Sequence, residues 1–298
     1  MVAKCKVTIG ICVRDGETQV QEAIKSIIDQ DFPHEFMEAI FVDDGSSDKT
    51  LSILNSYLPR MDMETTIFHH EWKGLGYSRN VVVDNAKSEY IVWVDCDMRL
   101  SKDFVRKHVE FMKNNHKVGI GKGKYGLYNV ASLVGILENM YSVTNDLRDG
   151  KEITASFGTG GSIYRVKSIR QVGGFEPRIR RGGEDTDAEH RLSEAGWLLC
   201  KTQGVFYEMG RKTWKGIWRE YFGRGYDGNY VARKNGVYAM SGLLKMFPPA
   251  AILDEVLRSF VAYKLTNRKD VFLLPFHWAF KRTAWCLGFA VGCLGGRS

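Results

Sequence analysis

The first 115 residues alternate short apolar runs with polar or amphipathic segments, and this alternation restricts the chain to few folds. The runs at 6–13, 39–42, 65–68 and 90–94 are rich in β-branched or aromatic residues and have the length of strands. The segments between them and the one after the last, ending near residues 30, 58, 85 and 114, are predicted helices. Strands that alternate with helices are typical of βαβ units, so we predict an α/β fold with a mostly parallel central sheet flanked by helices.

Carboxylates stand directly after two of these predicted strands. Asp43 and Asp44 follow the run at 39–42, and Asp95 and Asp97 follow the run at 90–94. Ligands of open α/β sheets bind at the carboxyl ends of the strands. Carboxylates gathered there are costly unless a cation, a base or a sugar hydroxyl satisfies them. The pattern therefore predicts a ligand cleft at this edge of the sheet.

The Asp95-Cys96-Asp97 motif has the chemistry of a metal site. Residues i and i+2 of a strand point to the same side, so both carboxylates can face one cavity. Their oxygens suit Mg²⁺ or Mn²⁺, and such a cation would offset the charge of a leaving diphosphate. For Asp44 we expect a hydrogen bond to a nucleotide base or a ribose hydroxyl. Acidic turn and capping residues are the alternative explanation for both motifs.

A third acidic motif, Gly183-Glu184-Asp185, opens a predicted helix at 184–195. The helix dipole favours carboxylates at that end, so capping alone could explain them. The functional interpretation is that Asp185 takes a proton from an acceptor hydroxyl. The glycine-rich segment 156–162 precedes this motif and would let backbone approach a ligand closely.

The end of the chain differs from the rest in charge. Residues 211–298 carry 15 Lys and Arg against 5 Asp and Glu, whereas the remaining residues carry 27 against 30. After about residue 226 the chain is apolar and broken by prolines, and its longest uncharged stretch, 283–296, is shorter than the roughly 20 residues that a spanning helix needs. We predict a catalytic domain at 1–225 and a basic, apolar helical region at 226–298 that associates with a membrane surface rather than with nucleic acid.

The compartment follows from two further features. The N-terminus has no apolar signal segment, and the six cysteines show no CxxC pair. Both features favour a cytosolic setting with reduced thiols. Together with the basic tail, they predict a peripheral or monotopic location on the cytoplasmic face of the cell membrane.

Taken in order, the motifs resemble those of the inverting family 2 glycosyltransferases, which have the GT-A fold. The resemblance covers roughly residues 4–225. It is carried by the following elements: Val13-Arg14-Asp15, Phe41 to Asp48, Gly76 to Asn80, Asp95-Cys96-Asp97, Gly160-Gly161-Ser162, Gly173-Gly174-Phe175 and Gly183-Glu184-Asp185.

The resemblance implies a role for each matching residue. By this resemblance, the nucleotide is bound by Asp15, Asp44, Arg79 and Asp95. A divalent metal, Mn²⁺ or Mg²⁺, is bound by Asp97, with Asp95 and Glu208 as further candidate ligands. The acceptor side is lined by Gly160, Gly161 and Glu184, and the catalytic base is Asp185.

The chain departs from the pattern at one position. Many relatives place a histidine just after the strand that follows the base helix, where this chain reads Val205-Phe206-Tyr207-Glu208-Met209. Either Glu208 replaces that histidine as an oxygen ligand or the role is absent.

The expected activity is that of a hexosyltransferase. A sugar would move from a nucleotide-sugar donor, expected to be a UDP-sugar, to a hydroxyl of a polyprenyl-linked acceptor or a surface glycan. Nucleotidyl transfer is an alternative, but the turn at 13–17 has one glycine and offers no clear phosphate cradle. A non-catalytic nucleotide-binding membrane scaffold is another, and it would predict loss of Asp97 or Asp185, both of which are present.

Overall fold

The computed structural model describes residues 7–128, 132–148, 157–209, 213–235 and 248–294. Residues 236–247 of the predicted C-terminal helical region and Ser156 of the glycine-rich segment lie outside the described residues. The chain divides into two compact units. The first draws on Met1–Gly126, Asp149–Arg180 and Glu184–Glu208, and the second on Leu127–Arg148, Arg181–Gly183 and Met209–Ser298.

The described part of the first unit is built on a sheet of eight strands in the order β3-β2-β1-β4-β7-β6-β8-β5. Pairing is parallel between β1 and β2, β2 and β3, β1 and β4, and β6 and β8, and antiparallel at β7 and β5. This sheet confirms the predicted α/β class. The strands are β1 (Val7–Val13), β2 (Met37–Asp44), β3 (Glu64–His70), β4 (Tyr90–Trp93), β5 (Met98–Leu100), β6 (Val118–Tyr125), β7 (Ser162–Arg165) and β8 (Leu198–Glu208).

Helices cover both faces of this sheet, as the burial of β2 shows. Every residue of β2 is buried, and its alternate residues enter two apolar clusters. Ala39 and Phe41 belong to one cluster, and Ile40 and Val42 to the other. The helices are α1 (Val20–Ile28), α2 (Thr50–Tyr57), α3 (Leu75–Asn85), α4 (Phe104–Asn114), α6 (Val166–Gln171) and α7 (Glu184–Glu194), with α5 (Leu133–Arg148) in the second unit.

The second predicted strand is longer than its apolar run. It extends through Asp44, because β3 pairs with it as far as Asp44 opposite His70. Asp43 and Asp44 are therefore the last residues of the strand rather than the first residues of the turn. Asp43 is fully buried.

The second unit is helical in its described residues. It contains α5, α8 (Trp214–Asn235), α9 (Pro248–Thr266) and α10 (Leu274–Leu294). Two glycines let α8 and α10 pack closely, because a Cβ on Gly225 would collide with the carbonyl of Trp285, and one on Gly288 with that of Phe222. Across the described ranges, no helix combines the length and the apolar character that crossing a bilayer requires.

A buried ion cluster joins α5 to α10. The Oε1 atom of Glu138 lies 2.8 Å from Nε2 of His277 and 2.8 Å from Nζ of Lys281. The ammonium of Lys281 also lies 3.9 Å from the ring centroid of Tyr141. Burial acts to raise the pKa of Glu138, but attraction to Lys281 and the close contact with His277 outweigh it and hold that pKa at about 2.

The low pKa of Glu138 makes this cluster sensitive to acid. The folded-state pKa lies below the reference value of 4.5, so the ionised group stabilises the fold above about pH 4.5, and this contribution is lost as the pH falls towards 2. We expect Glu138→Gln to lower the free energy of unfolding at pH 7 by about 3 kcal/mol, and most of that difference to vanish near pH 2. Urea unfolding across this range measures it, with Glu110→Gln on the exposed side of α4 as control. A Glu138→Gln deficit that does not change with pH would contradict the assignment.

Candidate active site

The carboxyl ends of three parallel strands meet at one edge of the sheet. The register pairs Val13 of β1 with Asp43 of β2, and Gly10 of β1 with Trp93 of β4. The segments that follow β1 and β4, with Asp15 and Asp95, therefore leave the sheet at the edge where β2 ends in Asp44. The structure brings together the residues that the sequence predicted for nucleotide binding.

Asp15 and Asp44 organise the loops at this edge. The carboxylate of Asp44 is nearly buried and accepts hydrogen bonds from the backbone N–H of Lys73 at 2.7 Å and of Gly74 at 3.0 Å. Asp15 has a left-handed backbone, with φ of 51°, and its Oδ1 accepts the N–H of Ser47 at 2.8 Å. Its side chain stays 45% exposed, so it can still meet a ligand. The Asp44 carboxylate is already engaged with backbone.

Arg79 links the end of β4 to the start of α7. Its side chain is 6% exposed, one guanidinium nitrogen pairs with Glu184, and the other lies 3.7 Å from Oδ1 of Asp95. The guanidinium also lies 5.9 Å from the ring of Trp93 and 5.8 Å from that of Phe175. Because Glu184 is 1% exposed, this is a buried ion pair that holds the first turn of α7 against the sheet edge.

The adjacent residue, Asp185, is half-buried at the start of α7 and its Oδ1 accepts the N–H of Thr186 at 2.7 Å. One turn later, the buried carboxylate of Glu189 accepts the N–H groups of Phe157, at 3.0 Å, and Gly158, at 2.9 Å. A Cβ on Gly158 would lie 3.5 Å from Oδ2 of Asp185. Glu189 thus fixes the glycine-rich segment beside Asp185.

Gly160 and Gly161 carry this segment along the sheet edge. A methyl group on Gly160 would collide with the carboxylate of Asp95 and with Met98. Gly161 has φ of 72°, donates its N–H to the carbonyl of Trp93 at 2.9 Å, and passes against the ring of Phe206. Only glycine fits at these two positions, because Gly160 stands against the Asp95 carboxylate and Gly161 combines a left-handed backbone with the contact to Phe206.

Lys122 of β6 is a site residue that the sequence analysis missed. Its side chain is 4% exposed, and its ammonium donates to the carbonyl of Gly160 and lies 5.0 Å from the ring of Phe206. Burial lowers the pKa of Lys122, while the negative charges of four carboxylates act to raise it. The carboxylates are those of Asp95, Glu208, Glu189 and Asp185. One buried cation is therefore within electrostatic reach of the predicted metal, base and loop-fixing residues.

Removing this ammonium should loosen the segment that it holds. We expect Lys122→Met to lower the free energy of unfolding by about 1–3 kcal/mol, because the carbonyl of Gly160 loses its donor. Lys124→Met is the matched control on the same strand, since the Lys124 ammonium bonds to Gln203 at an exposed position. We expect the control to change stability by about 0.5 kcal/mol or less. Equal effects of the two variants in urea unfolding would contradict a special role for Lys122.

The predicted metal ligands lie close together along the backbone. Asp95 keeps 42% of its side chain exposed, and Glu208 reaches this region because β8 pairs Glu208 with Met98, the residue after Asp97. Among the described residues, no three His, Cys, Asp or Glu side chains converge closely enough to hold a metal by themselves. The carboxylate set still fits a hard cation that takes its other ligands from phosphate oxygens and water, as Mg²⁺ commonly does.

The fold is that of the GT-A class of nucleotide-sugar transferases. The mannosyltransferase PcManGT from Pyrobaculum calidifontis, solved with GDP-Man and Mn²⁺, matches with a TM-score of 0.69 at 15% identity, over 98% of this chain and 88% of that one. TarS residues 1–349 from Staphylococcus aureus, solved with UDP, match with a TM-score of 0.54 at 16% identity, over 98% and 92%. At such identities the likeness concerns the fold alone.

The chain belongs to glycosyl transferase family 2, whose sequence model matches residues 8–173. The poly(ribitol-phosphate) beta-glucosyltransferase of Bacillus spizizenii is 33% identical over 154 residues, 49% of this chain. The poly(ribitol-phosphate) beta-N-acetylglucosaminyltransferase TarS of S. aureus is 28% identical over 111 residues, 37% of this chain. The matches cover only 23% and 19% of those two relatives. Membership confirms the predicted family, which is a family of glycosyltransferases, and it favours this class over the nucleotidyltransferase and scaffold alternatives.

Proposed function

We propose that this chain transfers a sugar from a nucleotide-sugar donor to an acceptor hydroxyl with inversion at the anomeric carbon. The observation that carries the proposal is the course of the glycine-rich segment, which passes Asp185 at Gly158 and the carboxylate of Asp95 at Gly160. A residue suited to the diphosphate and a residue suited to a base thus face one region. Such a pair is what a single displacement between donor and acceptor needs.

The step is one displacement. Asp185 takes the proton of the acceptor hydroxyl as the oxygen attacks the anomeric carbon from the face opposite the diphosphate. The new carbon–oxygen bond forms while the bond to the phosphate oxygen breaks, and the nucleoside diphosphate leaves with the electron pair. Positive charge develops on the sugar ring in the transition state, as it does in glycosidases, and no covalent sugar–enzyme intermediate is needed.

Asp95 and Asp97, with Glu208 as a further candidate, would hold a divalent cation, Mn²⁺ or Mg²⁺. Such a cation neutralises charge on the departing diphosphate. Asp15, Asp44 and Arg79 would position the nucleotide. Asp44 would act by holding the backbone of Lys73 and Gly74, and Arg79 by pairing with Glu184. Asp15 has the exposed carboxylate that can contact the nucleotide directly.

The comparisons support a range of donors and acceptors. Solved relatives in fold carry UDP-GlcNAc or GDP-Man, and two sequence relatives are named for poly(ribitol-phosphate) acceptors. We propose a UDP-sugar donor and an acceptor that is a cell-surface polymer or a polyprenyl-linked sugar. We place Gly160, Gly161 and Glu184 towards the acceptor side, Glu184 through its hold on α7.

We also propose that the chain works at the cytoplasmic face of the cell membrane as a peripheral or monotopic protein. The support is the excess of basic over acidic residues after 211 and the apolar character of the same region. A surface location would bring the active site to an acceptor that is anchored in lipid.

A donor panel tests the reaction. The protein is incubated with UDP-glucose, UDP-GlcNAc or GDP-mannose, Mn²⁺, and either poly(ribitol phosphate) or a polyprenyl-phosphate sugar, and released nucleoside diphosphate is measured. We expect one donor to give release that depends on the acceptor, and proton NMR of the product to show the anomer opposite to that of the donor. A product with the donor's configuration would contradict inversion and the role of Asp185 as base.

A further inference from the structure

Helix α9 buries polar side chains and exposes apolar ones. Its buried positions carry Glu255, Arg258 and Ser259, each at most 5% exposed, together with Ala262. Its opposite face carries seven large apolar side chains that are at least 36% exposed, the most exposed being Leu253 at 62%, Leu257 at 55% and Phe260 at 52%. A helix on the surface of a soluble domain has the reverse arrangement, with its apolar stripe turned towards the core.

The buried polar side chains of α9 contact one another and helix α5. The guanidinium of Arg258 lies 3.1 Å from Glu255 and 3.3 Å from Asp254, and 4.8 Å from the ring of Tyr141 on α5. The hydroxyl of Ser259 donates to the carbonyl of Glu255 at 2.9 Å. Ala262 joins an apolar cluster with Leu137 and Met140 of α5, beside the contact of Arg258 with Tyr141. These contacts with α5 hold the polar side of α9 inward, so its apolar face points outward.

The apolar face continues beyond the helix. The ring of Phe260 contacts that of Phe272, which lies before α10, with centroids 5.3 Å apart, and Phe272 is itself 40% exposed. Two exposed lysines, Lys264 and Lys269, flank this junction. Single exposed apolar residues are common, but a contiguous patch with a polar rim marks an interaction surface.

We propose that this face of α9 and Phe272 docks in the plane of a membrane that contains anionic lipids. An apolar surface with a cationic rim complements hydrocarbon bordered by negative head groups. The docking face would bring the protein to the membrane-linked acceptor proposed above, and its role in catalysis rests on that proposal.

Vesicle binding tests the docking face without any need for turnover. The wild type and the double variant Leu257→Gln/Phe260→Gln, both as the full chain, are sedimented with vesicles. The vesicles contain phosphatidylcholine alone or with 30% phosphatidylglycerol, and binding is measured at low and at high salt. We expect binding that anionic lipid strengthens, and a loss of at least about tenfold in the double variant. Leu198→Gln is the matched control, because Leu198 is an equally exposed apolar residue of β8 in the first unit.

The other outcomes are equally informative. Unchanged vesicle binding of the double variant, or no binding to vesicles of either composition, would overturn the proposal. A dimer in light scattering that the double variant converts to a monomer, without vesicle binding, would assign the face to a second copy instead. Stabilisation by nucleotide is measured on the same samples, so failure of the docking face is distinguishable from failure of the proposed reaction.

Discussion

Replacing Asp185 by Asn is expected to lower turnover by about 100- to 10,000-fold while leaving nucleotide binding within a few-fold of the wild type. The amide keeps the size of the side chain and its hydrogen bond to the N–H of Thr186, but it cannot accept the proton of the acceptor hydroxyl. Initial rates of nucleoside diphosphate release and the dissociation constant of the nucleotide measure the two quantities separately. The effect should fall on kcat.

Glu194→Gln is the control for this prediction, because it removes a carboxylate from the exposed last turn of the same helix. It should retain nearly full turnover. Near-normal turnover of Asp185→Asn would remove Asp185 from the role of base. A loss of nucleotide binding equal to the loss of turnover would instead indicate a structural role.

Breaking the buried pair of Arg79 and Glu184 is expected to have the largest effect on stability. We expect Glu184→Ala to lower the free energy of unfolding by about 3–5 kcal/mol, because it leaves a buried guanidinium with only the more distant carboxylate of Asp95. Urea unfolding followed by circular dichroism measures the change.

The exposed pair of Arg178 and Glu176 provides the matched control. Arg178 is 69% exposed, so Arg178→Ala should cost about 1 kcal/mol or less. The double variant Arg79→Met/Glu184→Leu should recover part of the stability lost in Glu184→Ala, because it buries no unpaired charge. Similar losses in Arg178→Ala and Glu184→Ala would mean that the buried pair contributes no more than a surface pair.

The half of the sheet built from parallel strands could be predicted from the sequence. Strands β1, β2 and β4 contain continuous apolar runs, because helices bury them on both faces, whereas β3 is an edge strand with no buried residue. The helices between them differ by the helical spacing of their apolar residues. Asp44 and Asp95 stand at the ends of such strands, so their shared edge followed from the topology alone. The pairing of Arg79 with Glu184 could not, because residues more than 100 positions apart meet only once the fold is known.

The other half of the sheet could not be predicted in this way. Strand β6 contains three glycines and two lysines, residues that are depleted in strands, and β7 is only four residues long. Gly121 and Gly123 are required by close neighbours, since a Cβ there would meet Thr202 and Phe104. Lys122 lies between these two glycines. Its burial could not be predicted, because a lysine between glycines has the sequence pattern of a solvent-exposed turn.

In the C-terminal region, the orientation of helix α9 could not be predicted from the sequence. Composition indicated a basic and apolar surface, but it could not say which face of α9 points outward. That direction depends on contacts with α5, where Arg258 meets Tyr141 and Ala262 packs in the cluster that holds Leu137. Periodicity alone would have buried Leu257 and Phe260.

The thermal stability of the purified protein, measured with UDP, GDP, CMP and dTDP and with or without Mn²⁺ or Mg²⁺, tests the central claim most directly. A nucleotide at about 100 times its dissociation constant stabilises a protein by about 2.7 kcal/mol, which a shift in Tm reveals. We predict a shift in Tm with one nucleotide that requires the metal, is lost in Asp97→Asn and persists in Asp185→Asn. The absence of a shift with every nucleotide, from a protein shown to be folded, would contradict a nucleotide-sugar site at this sheet edge.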